Sequence, residues 1–319
     1  MELFLVDTVR PFWVKGINSI AGRPKDGVRE WIRTGGYYFD NPTTPDSFSI
    51  SIRDETEFLT ALASDINRFS LASFESASHV SRNAKFPKAA AWPLISSYYS
   101  GFFAAHGILR ILGISCIHLD ATLRDFLNGV ADTTGMLHQP IKKGFYTFRL
   151  TSATASLECE RSAPASGGVH ESFWETFANE MEQLRESILL STAQSAEKNR
   201  LTYSKLGDLL AILKSDSHVR GTWLSSVRNR INYSHLMESW YPYRETRAYY
   251  DYLFRIQSRW FDKAEAIPMG SPEPLRKFME GCCFMTAFCK ALTDDLAVRC
   301  VGGTSFLVTG ASRFLKLAL

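Results

Sequence analysis

The stretch Trp92–Gly113, WPLISSYYSGFFAAHGILRILG, constrains the fold of this 319-residue chain more than any other. A helix drawn through it is apolar on nearly every side. No face is left to meet water, so such a helix lies at the centre of a bundle with others wrapped around it. Gly113 closes it. Ser96, Ser97, Ser100, Gly101, Ala104 and Ala105 are small enough to let a second backbone come close.

Amphipathic helices to surround it are easily found. In DETEFLTALASDINRFSLASFESASHVSRNAKF, residues Phe58, Leu59, Leu62, Ile66, Phe69 and Phe74 recur at three- and four-residue spacings after an acidic first turn. Helical patterns return in ESFWETFANEMEQLRESILL, YSKLGDLLAILKSD and VRGTWLSSVRNRINYSHLMESW. They continue in YPYRETRAYYDYLFRIQSRWF, broken near Pro242, and in LRKFMEGCCFMTAFCKALTDDLAVRC. The tail VGGTSFLVTGASRFLKLAL reads as a further strand and a helical turn.

β structure is expected in two places. The first fifty or so residues read as strand and turn, with Gly-Gly, Asn-Pro and Thr-Pro around the alternating SFSISI. Between about 114 and 170 helical periodicity fades, and KKGFYTFRLTSATASLECE holds two β-prone runs that pair as a hairpin, followed by the loop RSAPASGG. The expected architecture is mainly α: an N-terminal β-rich segment over 1–57, then a helical domain over 58–319 with an insertion at about 114–170. Strands and helices do not alternate regularly, which disfavours a doubly wound α/β fold.

With 45% hydrophobic and 22% charged residues the chain has a globular balance, enough for one large domain or two modest ones. No run reaches the roughly 20 apolar residues of a membrane span; the nearest, GCCFMTAFCKAL, is interrupted by Lys290. The opening MELFLVDTVRPFW carries Glu2 and Asp7 and lacks a secretory pattern. The six cysteines, Cys116, Cys159, Cys282, Cys283, Cys289 and Cys300, cluster late and form no regular framework. Reduced, buried thiols in a cytoplasmic protein are the expectation. No Cys-x-x-Cys occurs, and no Gly-rich phosphate loop, Gly-x-Ser-x-Gly elbow or His-Glu-x-x-His motif is found. No metal and no cofactor are therefore expected.

Charge is unevenly spread. Between Arg220 and Arg259 stand seven arginines and no lysine against Glu238, Glu245 and Asp251, so this window is +4 in a chain of net charge +3, and the remainder is −1. Nine aromatics share it: Trp223, Tyr233, Trp240, Tyr241, Tyr243, Tyr249, Tyr250, Tyr252 and Phe254. Arginine mixed with aromatics suits phosphate pairing and base stacking. A charged helix pair with tyrosines lining a core fits the same composition.

Within the window, SSVRNRINYSH places Arg228, Asn229, Arg230, Asn232 and His235 on one predicted helix. At about 100° per residue, Arg228 and His235 are two turns apart and share a face to within about 20°. Asn232 lies between them and Asn229 on the flank, whereas Arg230 diverges from His235 by about 140°. Such a set suits RNA cleavage. A histidine near its ordinary pKa of about 6.5 moves the proton of a ribose 2′-hydroxyl or a leaving 5′-oxygen. Arginine stabilises charge on the phosphoryl oxygens, and asparagine orients the phosphate. One histidine supplies one acid or base, and a symmetric dimer supplies both. A solvated helix face is the bland alternative. Elsewhere, His106 on the apolar helix reads as a core histidine or as one facing this site, while His79, His118, His138, His170 and His218 have no evident partner.

Arg228–Asn229 followed by His235, and Arg230 followed by the same His235, resemble the signature of the HEPN superfamily of helical-bundle ribonucleases. That signature is an arginine, often with a polar follower, and a histidine a few residues on. SSYYSGFFAAHGILRILG is similar to that family's early YYAAFHAARALL-type helix, with Tyr98, Tyr99, Phe102, Ala104 and Ala105 in order. The resemblance covers roughly residues 58 to 260. It implies a metal-independent endoribonuclease, dimeric, with a composite cleft at the twofold axis, leaving a cyclic phosphate and a 5′-hydroxyl. It also implies a role in toxin–antitoxin or antiviral defence, with an antitoxin or sensor protein as partner. Some family toxins carry a tyrosine two residues after the histidine; Met237 stands there, which puts regulation through that tyrosine in doubt. A HEPN-like module that binds nucleic acid or protein without cleaving it is the competing expectation.

Overall fold

The structure is a computed structural model that describes residues 4–82, 90–151, 155–162, 168–240 and 247–318. It is mainly helical, with one small five-stranded sheet. Two short helices, α1 (Phe4–Val9) and α2 (Val28–Ile32), occupy the region expected to be strand and turn. Helix wins there because Leu5, Val6 and Val9 bury together at helical spacing, and Glu30 Oε2 accepts the Gly27 backbone N–H at 3.1 Å to close the start of α2. The strands follow: β1 (Tyr37–Phe39) and β2 (Ser47–Ile52), the latter being the SFSISI segment.

Next come α3 (Glu55–Arg82) and α4 (Ala91–Ile111), then β3 (Ile114–Leu119). Helix α4 carries the apolar stretch and packs against α3, as well as against two later helices over Trp223–Tyr233 and Pro274–Val298. After it the chain forms α5 (Ala121–Thr133), a helix absent from the sequence reading. Asp120 caps α5 by accepting the Leu123 N–H at 2.9 Å, and Leu123, Leu127 and Ala131 bury one stripe. Three buried positions make a weak periodic signal. The predicted hairpin is present as β4 (Gly144–Thr151) and β5 (Ser156–Arg161).

The remaining helices are α6 (Val169–Leu190), α7 (Ala196–Leu213), α8 (Trp223–Tyr233), α9 (Arg247–Ser258), α10 (Pro274–Val298) and α11 (Ala311–Ala318). The strand expected in the tail is reduced to a single bridge between Ser305 and Ala21, and the helical turn is α11.

All strands pair antiparallel in the order β1-β2-β5-β4-β3. The N-terminal β segment and the inserted hairpin are therefore parts of one sheet, joined where Phe48 faces Cys159 and Ile50 faces Leu157. Two arginines fasten this sheet to the bundle. Buried Arg110 of α4 pairs with Asp65 of α3 at 3.1 Å and donates to the carbonyls of Ile114 and Cys116 at 3.0 and 3.4 Å. Arg149 of β4 forms a two-pronged pair with Glu180 of α6.

The small residues of α4 do what their size predicts. A Cβ on Gly101 would meet Cys282 Cα of α10 at 3.1 Å. Ser100 Oγ shares a hydrogen bond with Thr286 Oγ1 across the same contact at 2.7 Å. No helix among the described residues is long and apolar enough to cross a membrane.

Candidate functional site

Helix α8 is held by Trp223, Leu224, Val227 and Ile231, all buried. It reaches α6 through Gly221, whose positive φ of 86° suits glycine and whose Cβ would collide with Ala178. That approach sets the outer side of α8 against the first half of α4.

Arg228 projects there from α8. Its Nη2 donates to Tyr99 Oη at 3.0 Å and its Nη1 to Asn229 Oδ1 at 2.8 Å. The guanidinium carbon lies 5.8 and 6.0 Å from the Tyr98 and Tyr99 ring centres, at the outer limit of cation–π attraction. Nε is sealed and has no hydrogen-bond partner among the described residues. Among the described residues no carboxylate pairs with Arg228, unlike Arg220, which meets Glu175, or Arg259, which meets Asp262. Burial is the largest influence and opposes the charge, but the bond to Tyr99 and the electrostatic pull of Tyr99, Tyr98 and Tyr233 together outweigh it, so Arg228 stays protonated above its ordinary range. A partly buried cation answered only by neutral groups is set to receive an anion.

His170, in the first turn of α6, enters the same cluster from the opposite side. Its Nδ1 and Tyr98 Oη are 2.9 Å apart, and Trp174 Nε1 donates to that same oxygen at 2.9 Å. The imidazole rests on Phe102, ring centres 4.6 Å apart. Burial, then the nearby charge of Arg228, push its pKa down to about 4, so it is neutral at pH 7. No direct signal marks this residue in the sequence beyond the one-turn spacing of His170 and Trp174; the rest of the cluster is long-range.

His106 lies deeper. It is sandwiched between Phe69 and Phe173, ring centres 4.6 and 3.9 Å away, and burial holds it neutral. It is a core histidine.

His235 is not where the helical face argument put it. α8 ends at Tyr233, and Ser234 turns extended at φ −144° and ψ 159°. The two-turn match between Arg228 and His235 is therefore lost. Two groups stop the helix. Ser234 Oγ donates to the Arg230 carbonyl at 2.8 Å, a side chain competing for a helical acceptor. Trp240 Nε1 donates at 2.6 Å to the Ile231 carbonyl, which residue 235 would otherwise engage. The returning segment is tied to α4 by Ala91 N–H donating to the Ser239 carbonyl at 3.0 Å, and Trp240 meets Trp92 edge-on at 5.6 Å. His235 is exposed on this turn.

The five predicted residues thus separate. Arg228 and Asn229 are bonded to each other. Asn232 is half-buried on the helix, and Arg230 and His235 are exposed. The arginine and aromatic window separates too. Trp223 is core, and Tyr252 donates to Glu280 at 2.7 Å. Tyr241, Tyr243, Arg244 and Glu245 lie outside the described residues, as do the side chains of Arg247, Tyr249 and Tyr250. Among the described residues, no group of three or more His, Cys, Asp or Glu side chains is placed to hold a metal ion.

Comparison with known proteins adds no relative. No family model, curated protein or solved structure matches this chain.

Proposed function

We propose that this protein is a metal-independent endoribonuclease of HEPN type, in which Arg228 binds the scissile phosphate. One observation carries the reading: the guanidinium of Arg228, without a carboxylate among the described residues, is held by Tyr99 Oη at 3.0 Å. The two stretches that resemble the family, on α4 and α8, meet at that bond.

In this reading the ribose 2′-oxygen attacks phosphorus and the 5′-oxygen leaves, giving a cyclic phosphate and a 5′-hydroxyl. A base takes the 2′-hydroxyl proton and an acid returns one to the 5′-oxygen. His235 supplies one of these roles per chain, and a homodimer brings two copies to one cleft. Asn229 orients Arg228 directly, Asn232 faces the phosphate, and Arg230 adds a second cation. The biological role that goes with such an activity is a cytoplasmic toxin or antiviral effector restrained by an antitoxin or sensor protein.

A second reading rests on the turn at Ser234. Among the described residues the His235 imidazole has no partner to orient it. That favours a HEPN-like module that binds RNA or protein without cleaving.

Incubating purified protein with single-stranded RNA and chelator separates the two. Cleavage by wild type that is lost in both Arg228→Ala and His235→Ala supports the nuclease. RNA binding with no cleavage in any condition leaves the binding module.

A further inference from the structure

We propose that His170 is a second phosphate-binding group of the Arg228 site, presenting Nε2–H as a neutral hydrogen-bond donor to a phosphodiester oxygen. The proposal rests on the reading of Arg228 as a phosphate ligand and extends it to a residue outside the Arg/His signature.

Proton counting along the buried hydrogen bonds sets the tautomer. Trp174 Nε1 is a donor only, and it points at Tyr98 Oη at 2.9 Å. Tyr98 is fully buried, so its own proton needs an acceptor. Two groups among the described residues could take it: His170 Nδ1, within hydrogen-bond geometry at 2.9 Å, and Ser225 Oγ, which lies beside the phenol under α8 but misses that geometry, so the proton goes to His170. The chain of donors therefore runs Trp174 to Tyr98 to His170. Nδ1 accepts, which leaves the ring proton of the neutral imidazole on Nε2.

Nε2 has no hydrogen-bond partner among the described residues, and His170 is half-buried. His170 and Arg228 flank the same phenol, with the imidazole centre 6.1 Å and the guanidinium carbon 6.0 Å from the Tyr99 ring centre. A fixed neutral donor beside a fixed cation, both on a floor of aromatic rings, suits an oxyanion better than it suits proton transfer. In this tautomer His170 has no free lone pair to act as a base.

The test measures anisotropy of a labelled single-stranded oligoribonucleotide carrying 2′-O-methyl riboses, which blocks cleavage. His170→Ala and Tyr98→Phe are each expected to weaken binding about tenfold, the loss of one charge-assisted hydrogen bond. His170→Gln, whose side-chain amide places an N–H near the Nε2 position, recovers most of the affinity. Nitrogen-15 NMR of labelled wild-type protein at about pH 7 is expected to report His170 protonated on Nε2. A proton on Nδ1, or unchanged affinity in His170→Ala while Arg228→Ala loses binding, overturns this inference and leaves the phosphate reading of Arg228 intact. Unchanged affinity in Arg228→Ala as well overturns both.

Discussion

Arg228 and Tyr99, 129 positions apart in the chain, are joined by a 3.0 Å hydrogen bond that brings the polar end of α8 onto the central helix α4. The phenol orients the guanidinium without neutralising it. This arrangement keeps a cation in place with its burial offset by neutral partners, leaving the charge free to meet an anion.

Replacing that cation should therefore separate function from folding. Arg228→Met is expected to leave stability within about 1 kcal/mol of wild type, because the relieved desolvation cost and the lost bond to Tyr99 roughly offset each other. RNA cleavage in the same variant should fall by about 100-fold or more, the usual effect of deleting one group that stabilises charge in the transition state. Chemical denaturation and a gel-based cleavage assay report the two. A variant both less stable and fully active would show that Arg228 is a packing residue.

Tyr99→Phe isolates the orienting bond. The ring remains, so the packing of α4 against α8 is kept, and the expected loss of stability is about 1 kcal/mol. Affinity for RNA should drop while the cleavage pattern stays the same. An increase in affinity would mean that the hydroxyl competes with substrate for Arg228.

Buried neutral histidine makes the fold acid-sensitive. His170 stands at about 4 in the folded protein against an ordinary value of 6.5. Above 6.5 it is neutral in both states. As pH falls from 6.5 towards 4 the unfolded chain takes up a proton that the folded chain refuses, so stability declines across that window and levels below it. His106 shifts in the same direction. Melting temperature against pH should fall through this window in wild type and fall less in His170→Gln. Parallel curves would place the titration elsewhere.

The buried Arg110–Asp65 pair, 3.1 Å apart, predicts an asymmetric pair of variants. Asp65→Ala leaves Arg110 charged and unanswered in the core, at an expected cost of about 3–5 kcal/mol. Arg110→Met with Asp65→Leu removes both charges and should cost far less. It should still loosen the edge of β3, whose Ile114 and Cys116 carbonyls lose their donor. Urea melts of the single and double variants decide the point.

How far the sequence reveals this molecule depends on the range of the forces involved. The central position of α4 follows from composition alone, because a helix apolar on all sides has no solvent face. The hairpin β4–β5 and the strand Ser47–Ile52 are legible from alternation, but the joining of these parts into one sheet is not, since Ile50 and Leu157 meet across 107 positions. Arg228 is recognisable from its short-range pattern. His170 is not, because its placement depends on Tyr98, which arrives from α4, 72 positions away. The end of α8 is the instructive failure. Nothing in SSVRNRINYSH breaks a helix outright, and the group that captures the Ile231 carbonyl, Trp240, lies nine residues on.

That capture yields the last prediction. Trp240 Nε1 holds the Ile231 carbonyl at 2.6 Å, and the ring packs on Trp92, so the turn bearing His235 is fastened at both ends. Trp240→Phe keeps a ring against Trp92 and removes the donor. The freed carbonyl then becomes available to the N–H of residue 235, and α8 gains a reason to extend by a turn. Extension would carry His235 back towards the Arg228 face, within about 20° of it on an ideal helix. Amide exchange should therefore slow at His235 and Leu236 in the variant, with little change elsewhere in α8. If the proposed cleavage needs His235 on the exposed turn, it falls although Arg228 is untouched; if it needs the extended helix, it rises. Faster exchange across 234–240 with unaltered cleavage would show that the turn is not part of the active arrangement.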